Sequence, residues 1–259
     1  MDKPVSRPQK ADDLNYMRYS RQIKIDQIGI EGQKKLANAS VFVAGAGGLG
    51  SPVLTYLALA GIGRLGFIDS DTVDLSNLNR QFLHHNNDIG KFKSESAEEK
   101  LSSLNSEIDI IPYTGLLTDK NAETIFKGYD LILGAVDSFE TRFVINRACI
   151  FLGIPYIDGG INGFSGCIMF SFPPKTPCFA CIFPEKAEKK KSVGVIGTTA
   201  GFIGTMEANI AILHLLELQN PAENRLLLYD GLRMNIDHIE IKRNDICPVC
   251  AESFAAKCG

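Results

Sequence analysis

Hydrophobic and polar positions alternate in blocks along the chain, and the blocks have the lengths of buried strands and packed helices. An apolar run starts at Ser40, a glycine-rich turn follows it, and an apolar segment of helical length leads to a second apolar run that ends at Asp69. Short apolar runs bounded by glycine or charged residues are typical of strands buried on both faces. The stretch 40–71 therefore predicts a strand, a glycine turn, a helix and a second strand.

The same alternation continues on both sides of this stretch. It predicts an amphipathic segment that ends at Leu36, and helices over 93–104, 118–126 (opened by a Thr-Asp cap), 138–151 and 202–218. It predicts strands over 108–113, 129–137, 154–160, 166–172, 225–229 and 238–242. Strands alternate with helices through residue 160, which indicates an α/β fold with a doubly wound, mainly parallel, Rossmann-like sheet. We expect the later strands to form a mixed or antiparallel C-terminal extension.

Composition is typical of a soluble globular protein. The 259 residues are 45% hydrophobic and 22% charged, which suffices for the core of one large domain. A formal net charge of -3 leaves no basic excess for a phosphate backbone, so we expect no nucleic-acid partner. No run has the length and apolarity of a membrane span, so we expect no membrane association and a cytoplasmic location. Residues 1–13 lack periodicity and are expected to be a flexible tail.

The glycine turn carries the first candidate chemistry. Gly45, Gly47 and Gly50 permit a tight turn, a close approach of the main chain to a phosphate, and close packing of the helix on the sheet. Asp69 follows about 20 residues later, where its carboxylate can accept hydrogen bonds from ribose hydroxyls. These residues alone favour NAD or FAD over ATP, because most such turns bind dinucleotides. A turn with a purely structural role is the weaker alternative.

A polar segment after the second strand contains cations where a nicotinamide-dependent enzyme usually continues with a plain helix. Asn77, Arg80 and Lys93 lie in this segment, and its cations could reach a triphosphate. A solvated loop is the alternative. His84 and His85 are interpreted as surface or packing residues, because no third metal ligand lies nearby in the sequence.

Three further charged positions are open to more than one interpretation. Asp137 ends a predicted strand, and ligands bind at the carboxyl ends of strands in an open parallel sheet, so its carboxylate could hold Mg²⁺ against phosphate oxygens. A cap of the following helix is an equally good interpretation. Arg18 and Arg21 lie three residues apart on one predicted helix, and their spacing alone favours a solvated basic face.

Four of the seven cysteines form two C-x-x-C pairs. Cys178 and Cys181 make the first pair, and Cys247 and Cys250 make the second about 65 residues later. Two such pairs are typical of a structural four-thiolate zinc site, here a clasp that ties the C-terminal region to the rest of the domain. Unliganded core cysteines and a redox pair are weaker alternatives. Of the other thiols, Cys149 and Cys167 lie in apolar segments and are expected to be buried. Cys258, near the C-terminus, is expected to be exposed.

Taken together, these motifs resemble those of the E1-like activating enzymes of the molybdopterin-synthase and thiamine sulfur-carrier adenylyltransferase type. The resemblance runs from about Met17 to Cys250. The motifs occur in family order: Arg18-Tyr-Ser-Arg21-Gln22, the turn from Gly45 to Gly50, Asp69-Ser-Asp71, Ser76-Asn77-Leu-Asn-Arg80-Gln81, Lys93, Asp137 and both cysteine pairs. The resemblance makes ATP the expected nucleotide. It implies one adenylation domain over 14–259, with a nucleotide-binding part to about residue 160 and a substrate-binding and zinc part over about 161–250.

The resemblance also implies a reaction and its participants. In a homodimer, the C-terminal Gly-Gly of a small ubiquitin-like sulfur carrier enters the crevice, and its carboxylate attacks the α-phosphate of MgATP. An acyl adenylate and pyrophosphate are formed. Displacement at phosphorus needs positioning and neutralisation of charge more than a protein base, which suits the residues present. The implied cofactors are ATP, Mg²⁺ and Zn²⁺.

A role follows by resemblance for each matching residue. In the catalytic set, Arg80 and Lys93 stabilise charge on the phosphates and Asp137 binds Mg²⁺. The fourth member, Arg21, reaches in from the partner subunit. The nucleotide-binding set forms the turn, holds the ribose and positions the phosphates: Gly45, Gly47, Gly48, Gly50, Asp69, Asp71, Asn77 and Gln81.

The chain departs from the family pattern at one position. Many relatives carry a further cysteine in the crossover loop after the first zinc pair, where it can form a thioester or persulfide with the carrier. This chain has Lys189-Lys190-Lys191 there. We therefore expect an enzyme that stops at the adenylate. The lysines are interpreted as part of a solvated loop, with a cationic guide for an acidic carrier as the alternative.

Three other functions stay open at the level of the sequence. The activated acid could be a peptide or a small-molecule carboxylate in cofactor or natural-product biosynthesis, since the missing cysteine allows it. The chain could be a catalytically silent nucleotide-binding partner in a larger complex, although the intact site residues argue against this. A nicotinamide-dependent oxidoreductase is the third, and the weakest once the resemblance is considered.

Overall fold

Eight strands of the described chain lie in one mixed sheet, and helices cover both of its faces. The computed structural model describes residues 16–183 and 194–251. Its strands are β1 (Ser40–Ala44), β2 (Arg64–Asp69), β3 (Asp109–Thr114), β4 (Leu131–Gly134), β5 (Tyr156–Asn162), β6 (Ser165–Ser171), β7 (Arg225–Asp230) and β8 (Asn235–Glu240). Its α-helices are α1 (Ser20–Ile23), α2 (Gly29–Asn38), α3 (Gly50–Ala60), α4 (Lys93–Leu104), α5 (Ala122–Phe126), α6 (Phe139–Leu152), α7 (Phe179–Ile182) and α8 (Gly197–Leu215).

The order of the strands shows where a ligand can bind. They follow the order β3-β2-β1-β4-β5-β6-β7-β8, in which β1 to β5 are parallel and β5 to β8 pair antiparallel. The order reverses between β1 and β4, and such a reversal opens a crevice at the carboxyl ends of the strands. The predicted fold class is confirmed: a doubly wound, mainly parallel sheet with an antiparallel C-terminal extension.

Two apolar cores hold the three layers together. Val41 and Val43 of β1 pack into the core shared with α3 and α8, whereas Phe42 packs into the core shared with α5 and α6. Successive side chains of a strand point to opposite faces, so a strand covered on both sides needs apolar residues at every position. This is why β1 is a continuous apolar run. Packing on both faces holds the carboxyl end of the strand in place.

Some predicted bounds are wrong, and two of the differences have a local reason. The amphipathic segment before Leu36 is two helices, because the chain leaves α1 after Ile23 and re-enters at Gly29, which has a φ of +56°. Thr118 does not cap a helix: its N–H donates to Oδ1 of Asn121 at 2.8 Å, which forms a turn, and α5 begins only at Ala122. The long helix α8 begins five residues earlier than predicted, and β8 begins three residues earlier.

Three expectations concern residues outside the described ranges. They are the flexible tail at 1–13, the lysines at 189–191 and the exposed Cys258. The division of the domain near residue 160 stays a prediction. Among the described helices, none combines the length and the apolarity that crossing a membrane requires.

Candidate functional site

The glycine turn joins β1 to α3 where the strand order reverses. Gly45 has a φ of +102°, and a Cβ at this position would lie 2.5 Å from the carbonyl oxygen of Ala135, directly after β4. A Cβ at Gly50, the first residue of α3, would collide with the carbonyl oxygen of Gly45. Both positions therefore exclude a side chain, and the turn packs against the end of β4.

Gly47 and Gly48, in the middle of the turn, have no such constraint. A Cβ at Gly47 would lie 3.5 Å from Nε2 of Gln81, and one at Gly48 would lie 3.6 Å from Cγ of Arg80, which are ordinary contact distances. The described residues thus leave space for a ligand beside these two glycines. Gln81 is buried, and its Oε1 has no hydrogen-bond partner among the described residues. Such an atom is typically satisfied by a bound polar group or by water.

Asp69 ties the end of β2 to the glycine turn. Its Oδ2 accepts a hydrogen bond from the N–H of Ala46 at 2.8 Å, and its Oδ1 accepts one from the N–H of Asp71 at 2.9 Å. Each carboxylate oxygen can accept a further bond, so these contacts leave the expected bond to a ribose available. The structural role of Asp69 in shaping the turn is a finding that the sequence did not predict.

His84 supports the same turn from behind. Its Nε2 lies 2.9 Å from the carbonyl oxygen of Ala46, and its Nδ1 lies 2.9 Å from Oγ of Ser96. Burial lowers the pKa of His84, although the bond to Ala46 opposes this, so the ring is neutral at pH 7, with Nε2–H donating to the carbonyl and Nδ1 accepting from the hydroxyl. His84 is thus a packing residue, as interpreted, and its contact with the turn links the turn to α4.

Lys93 and Asp71 form a pair between the end of β2 and the start of α4. Nζ of Lys93 donates to Oδ2 of Asp71 at 2.9 Å, and the backbone N–H of Lys93 donates to the carbonyl of Asp71 at 2.9 Å. The lysine is buried and the aspartate is exposed. The two predicted site residues are therefore paired just beyond the carboxyl end of β2, and the ammonium is held in one place by its partner.

Asn77 and Arg80 lie on a short 3₁₀ turn, Leu75–Asn77, and the residues just after it. The Oδ1 of Asn77 accepts a bond from the N–H of Asp74 at 3.2 Å, so the amide nitrogen is the part of this side chain that remains available to donate to a ligand. Nη1 of Arg80 donates to the carbonyl of Ser76 at 2.9 Å. The turn thus places Arg80 beside Gly48 and keeps its charge half-exposed.

Asp137 follows β4 at the same edge of the sheet. The two interpretations of this residue can now be separated, because the cap of α6 is Ser138, whose Oγ accepts from the N–H of Thr141 at 3.4 Å. Asp137 is exposed, and no described residue forms a hydrogen bond or an ion pair with its carboxylate. The interpretation of Asp137 as the helix cap is therefore wrong. An exposed carboxylate at the carboxyl edge suits Mg²⁺, which keeps several waters and is bound through one or two carboxylates and phosphate oxygens.

A buried polar cluster behind this edge was not predicted. Nη1 of Arg142, on α6, donates to Oδ2 of Asp158 at 2.7 Å, and the hydroxyl of Tyr156 donates to Oδ1 of Asp158 at 2.5 Å. Burial lowers the pKa of Arg142, but the neighbouring acidic groups, Asp158 foremost, together more than offset this, so the pKa is raised overall and the guanidinium stays charged. Sequence patterns could not reveal the cluster, since its members come from two elements and look like ordinary helix and strand residues.

Glu207 adds a second buried acid on the other face of β5. It lies on α8 with its carboxyl against Gly159, where a Cβ would collide with it. Glu207 is fully buried, and neither carboxyl oxygen has a hydrogen-bond partner among the described residues. Burial raises the pKa of Glu207 well above its usual value, and the Asp158 charge adds to this, so the site favours the neutral, protonated form of the group.

Arg21 lies far from the glycine turn of its own chain. It is exposed on α1, and the neighbouring Gln22 donates from Nε2 to the carbonyl of Ala60, the last residue of α3, at 3.2 Å. The glycine turn precedes the other end of α3, and a helix of 11 residues is about 16 Å long, so the turn and α1 lie at opposite ends of α3. Arg18 differs from Arg21, because its Nε pairs with Glu107 at 3.4 Å.

The two cysteine pairs meet, as predicted. Sγ of Cys178 lies 3.7 Å from that of Cys181 and 3.7 Å from that of Cys247, and the Sγ atoms of Cys181 and Cys250 are 3.5 Å apart. Four sulfurs at 2.3 Å from a tetrahedral zinc ion would be about 3.8 Å apart. The donor set and its spacing therefore fit zinc. They tie the segment after β8 to α7.

The thiols of this cluster differ in acidity: the hydrogen bond with Cys181 raises the pKa of Cys178, and burial raises the pKa of Cys250. A hydrogen bond from Cys178 lowers the pKa of Cys181 to about 5, so a thiolate is present at neutral pH. Cys149 is buried, as predicted, and Cys167 is half-buried. Burial raises the pKa of Cys167 to about 11, so this thiol stays protonated.

Comparison with known proteins gives one consistent result. The model of the ThiF family matches residues 19–249. The chain is 39% identical over 245 residues to the sulfur carrier protein adenylyltransferase of Thermus thermophilus, covering 91% of this chain and 90% of that protein. It is 38% identical to the SAMP-activating enzyme E1 of Haloferax volcanii, covering 91% and 88%. It is also 38% identical to the sulfur carrier protein ThiS adenylyltransferase of Escherichia coli, covering 94% and 98%.

Solved structures agree on the fold. The crystal structure of Escherichia coli MccB with MccA-N7isoASN superposes with a TM-score of 0.82 at 24% identity, covering 94% of this chain and 76% of that chain. The structure of MccB with ATP has a TM-score of 0.81 at 23% identity and the same coverage. At this level of identity the likeness concerns the fold alone.

Proposed function

Because this chain belongs to the ThiF family of E1-like activating enzymes and is an ATP-dependent adenylyltransferase, we propose that its substrate is the C-terminal Gly-Gly of a small ubiquitin-like sulfur-carrier protein. The observation that supports the proposal is that a turn with space beside Gly47, the cations Arg80 and Lys93, and the exposed Asp137 all follow the carboxyl ends of the neighbouring strands β1, β2 and β4. The relatives at 38–39% identity are named for sulfur carriers, which supports this class of acid.

The crevice supplies contacts for each part of ATP. The turn after Gly45 offers main-chain N–H groups at the start of α3 to phosphate oxygens. Asp69 accepts bonds from the ribose hydroxyls with the acceptor capacity left beside its two backbone bonds. Gln81 offers a buried amide whose oxygen is unsatisfied among the described residues. Together these groups would hold the nucleotide at the carboxyl ends of β1 and β2.

The reaction needs orientation and positive charge more than proton transfer. A carboxylate oxygen of the acid forms a bond to the α-phosphorus, and the bond from that phosphorus to the oxygen bridging the β-phosphate breaks. Pyrophosphate leaves with the electron pair, and no proton moves. Arg80 and Lys93 stabilise the charge that develops on the phosphate oxygens, and Asn77 positions these oxygens through its amide nitrogen.

Two metals fit residues of this chain. Asp137 would hold Mg²⁺, which neutralises phosphate charge and polarises the phosphorus when it is bound. The four clustered cysteines would hold Zn²⁺ in a closed structural site without an open position. The second site lies at the C-terminal segment and contributes to stability rather than chemistry.

A homodimer would give Arg21 a role. In its own chain this residue is separated from the glycine turn by the length of α3. Exposed on α1, it would reach the crevice of a second copy, where a guanidinium stabilises phosphate charge. The cytoplasmic location expected from the sequence stays a prediction.

The test is ATP–pyrophosphate exchange, in which each acid that is adenylated allows labelled pyrophosphate to enter ATP. Purified protein would be assayed with a small carrier ending in Gly-Gly, the same carrier lacking its last two residues, short peptides and a panel of small carboxylic acids. We expect exchange with the intact carrier and not with the truncated one. Exchange with a small acid or a peptide but not with the carrier would show that the substrate belongs to one of these alternative classes.

A pair of matched variants tests whether the crevice is responsible. Asp137→Ala is expected to lower exchange by about 10²- to 10³-fold, by analogy with the loss of other preorganised groups. Asp119→Ala removes an exposed aspartate that pairs with Arg147 on the surface at 2.9 Å, and it is expected to leave exchange unchanged. Wild-type protein that binds ATP yet shows no exchange with any acid would point to a silent nucleotide-binding partner.

A further inference from the structure

The guanidinium of Arg142 joins the carboxyl ends of two neighbouring strands. Besides its pair with Asp158, it donates from Nη2 to the carbonyl oxygen of Val136, beyond β4, at 2.9 Å and to that of Gly159, on β5, at 2.9 Å. Arg142 is 7% exposed, so these charge-assisted bonds form away from water. One planar group thereby fixes two carbonyls and one carboxylate.

The carbonyl of Val136 belongs to the peptide bond that leads into Asp137. A peptide unit is planar, so holding its oxygen also fixes the direction in which the chain enters the next residue. The ladder of β4 ends just before this point, with the N–H of Ala135 donating to the carbonyl of Ala44 at 2.8 Å. Beyond Ala135, the bond from Arg142 replaces the ladder as the support of the chain.

Arg142 also fixes the other side of Asp137. Its backbone N–H donates to the carbonyl of Ser138 at 3.2 Å, in the first turn of α6. Its guanidinium lies over the ring of Phe139, 5.5 Å from the ring centre, which restricts the side chain to one position. The same residue thus holds the residue before Asp137 through its side chain and the residue after it through its main chain.

From this arrangement we propose that Arg142 is a positioning residue for the adenylation reaction, which holds the carboxylate of Asp137 where it binds the Mg²⁺ of MgATP without itself touching the nucleotide. The proposal rests on the function proposed above. Lysine cannot substitute for it, because an ammonium is a point charge and cannot direct a planar pair of donors at the two carbonyls while it faces Asp158. A purely structural ion pair with Asp158 would not need the bond to Val136.

The test compares the affinity for ATP with Mg²⁺ and the affinity for ATP in EDTA, measured by calorimetry on the full chain without any acid substrate. We expect wild-type protein to bind ATP at least tenfold more tightly with Mg²⁺ than in EDTA. This ratio of the two affinities is called the magnesium gain. Arg142→Lys is expected to lose at least fivefold of this gain, with its affinity in EDTA within twofold of wild type. Arg147→Lys, the same exchange on the same helix at the surface pair with Asp119, should keep the full gain.

A double variant separates action through Asp137 from general damage. Asp137→Asn should lose the magnesium gain, and adding Arg142→Lys should lower it no further, because both changes remove the same interaction. Full additivity of the two losses, or a wild-type gain in Arg142→Lys, would overturn the proposal. A wild-type gain in Asp137→Asn would overturn it too, whereas failure of the proposed function is seen separately as absence of pyrophosphate exchange by the wild type.

Gly160→Ala covers the case in which Arg142→Lys does not fold. A Cβ at Gly160 would lie 3.2 Å from Nη1 of Arg142 and 3.0 Å from Sγ of Cys167, so the guanidinium must shift by a few tenths of an ångström while keeping its charge. We expect this variant to lose about two- to fivefold of the magnesium gain without a change of affinity in EDTA. An unchanged gain in a folded Gly160→Ala would contradict a positioning role.

Discussion

The carbonyl oxygen of Gly45 occupies the place where a Cβ on Gly50 would stand. The two glycines therefore close the turn by contact between their backbones. Gly47 lies between them. Apart from the residues next to it in sequence, the atom nearest to a Cβ placed at Gly47 is Nε2 of Gln81, at 3.5 Å. Glycines within one motif thus serve two purposes. The outer ones make the turn possible, and the middle one leaves space beside the main chain.

This difference predicts opposite effects of the same substitution. Gly50→Ala should destabilise the fold by about 3 kcal/mol, since a backbone atom cannot move aside easily. Gly47→Ala should change the free energy of unfolding by less than about 1 kcal/mol and weaken ATP binding tenfold or more, because its methyl group enters the space proposed for phosphate. Urea unfolding and calorimetric titration with MgATP would measure both. Unchanged ATP affinity in a folded Gly47→Ala would place the phosphates elsewhere.

Lys93 is expected to act on the phosphates with Asp71 as its support. Lys93→Met should lower pyrophosphate exchange by about 10²-fold or more, because a buried, oriented cation is lost. Asp71→Asn should cost about tenfold, since the ammonium remains but is less firmly held. Lys91→Met is the matched control, because Lys91 pairs with Glu99 outside the crevice at 2.9 Å. Exchange in Lys93→Met at the wild-type rate would restrict Lys93 to a structural role.

Removal of metal from the cysteine cluster should loosen the C-terminal region. A chelator that strips the metal is expected to lower stability by about 3 kcal/mol or more, since metal binding is coupled to folding. For a chain of this size that corresponds to a fall in Tm of about 6 to 12 °C. Elemental analysis should find one zinc per chain in the wild type and in Cys167→Ala, and none in Cys250→Ser. An unchanged melting curve after verified removal would contradict the clasp.

Glu207 should make stability fall as pH rises. Because its pKa is raised in the folded state, the folded chain binds a proton that the unfolded chain has released above pH of about 4.5, and each further pH unit costs up to about 1.4 kcal/mol until the folded group ionises. Asp158, which raises this pKa, and Arg142, which lowers it, face Glu207 from across β5.

Melting curves between pH 5 and pH 8 measure this effect. Glu207→Gln cannot ionise, so its Tm relative to wild type should increase from pH 5 to pH 8. The exposed Glu240→Gln on β8 is the control and should follow the wild type at every pH. A Tm difference between Glu207→Gln and wild type that does not depend on pH would contradict this prediction. It would show that Glu207 carries the same charge in the folded and the unfolded chain between pH 5 and pH 8.

Local patterns were sufficient for much of the fold and for the four-cysteine cluster. The apolar run of β1 is readable because burial on both faces demands apolar side chains at every position. The cysteine pairs are readable because metal ligands need short fixed spacings within each pair. The resemblance to E1-like activating enzymes rested on such motifs, and the family comparison confirms it.

The tertiary structure decided how these residues are supported. The sequence determined that Asp137 follows a strand, but not that Ser138 takes the cap and leaves the carboxylate of Asp137 exposed. It predicted a surface or packing role for His84 and only a helix around Arg142, although these residues hold the glycine turn and the end of β4. The physical reason is that propensity and periodicity act over a few residues, whereas a hydrogen bond such as that from Arg142 to Gly159 depends on which strands the folded sheet makes neighbours.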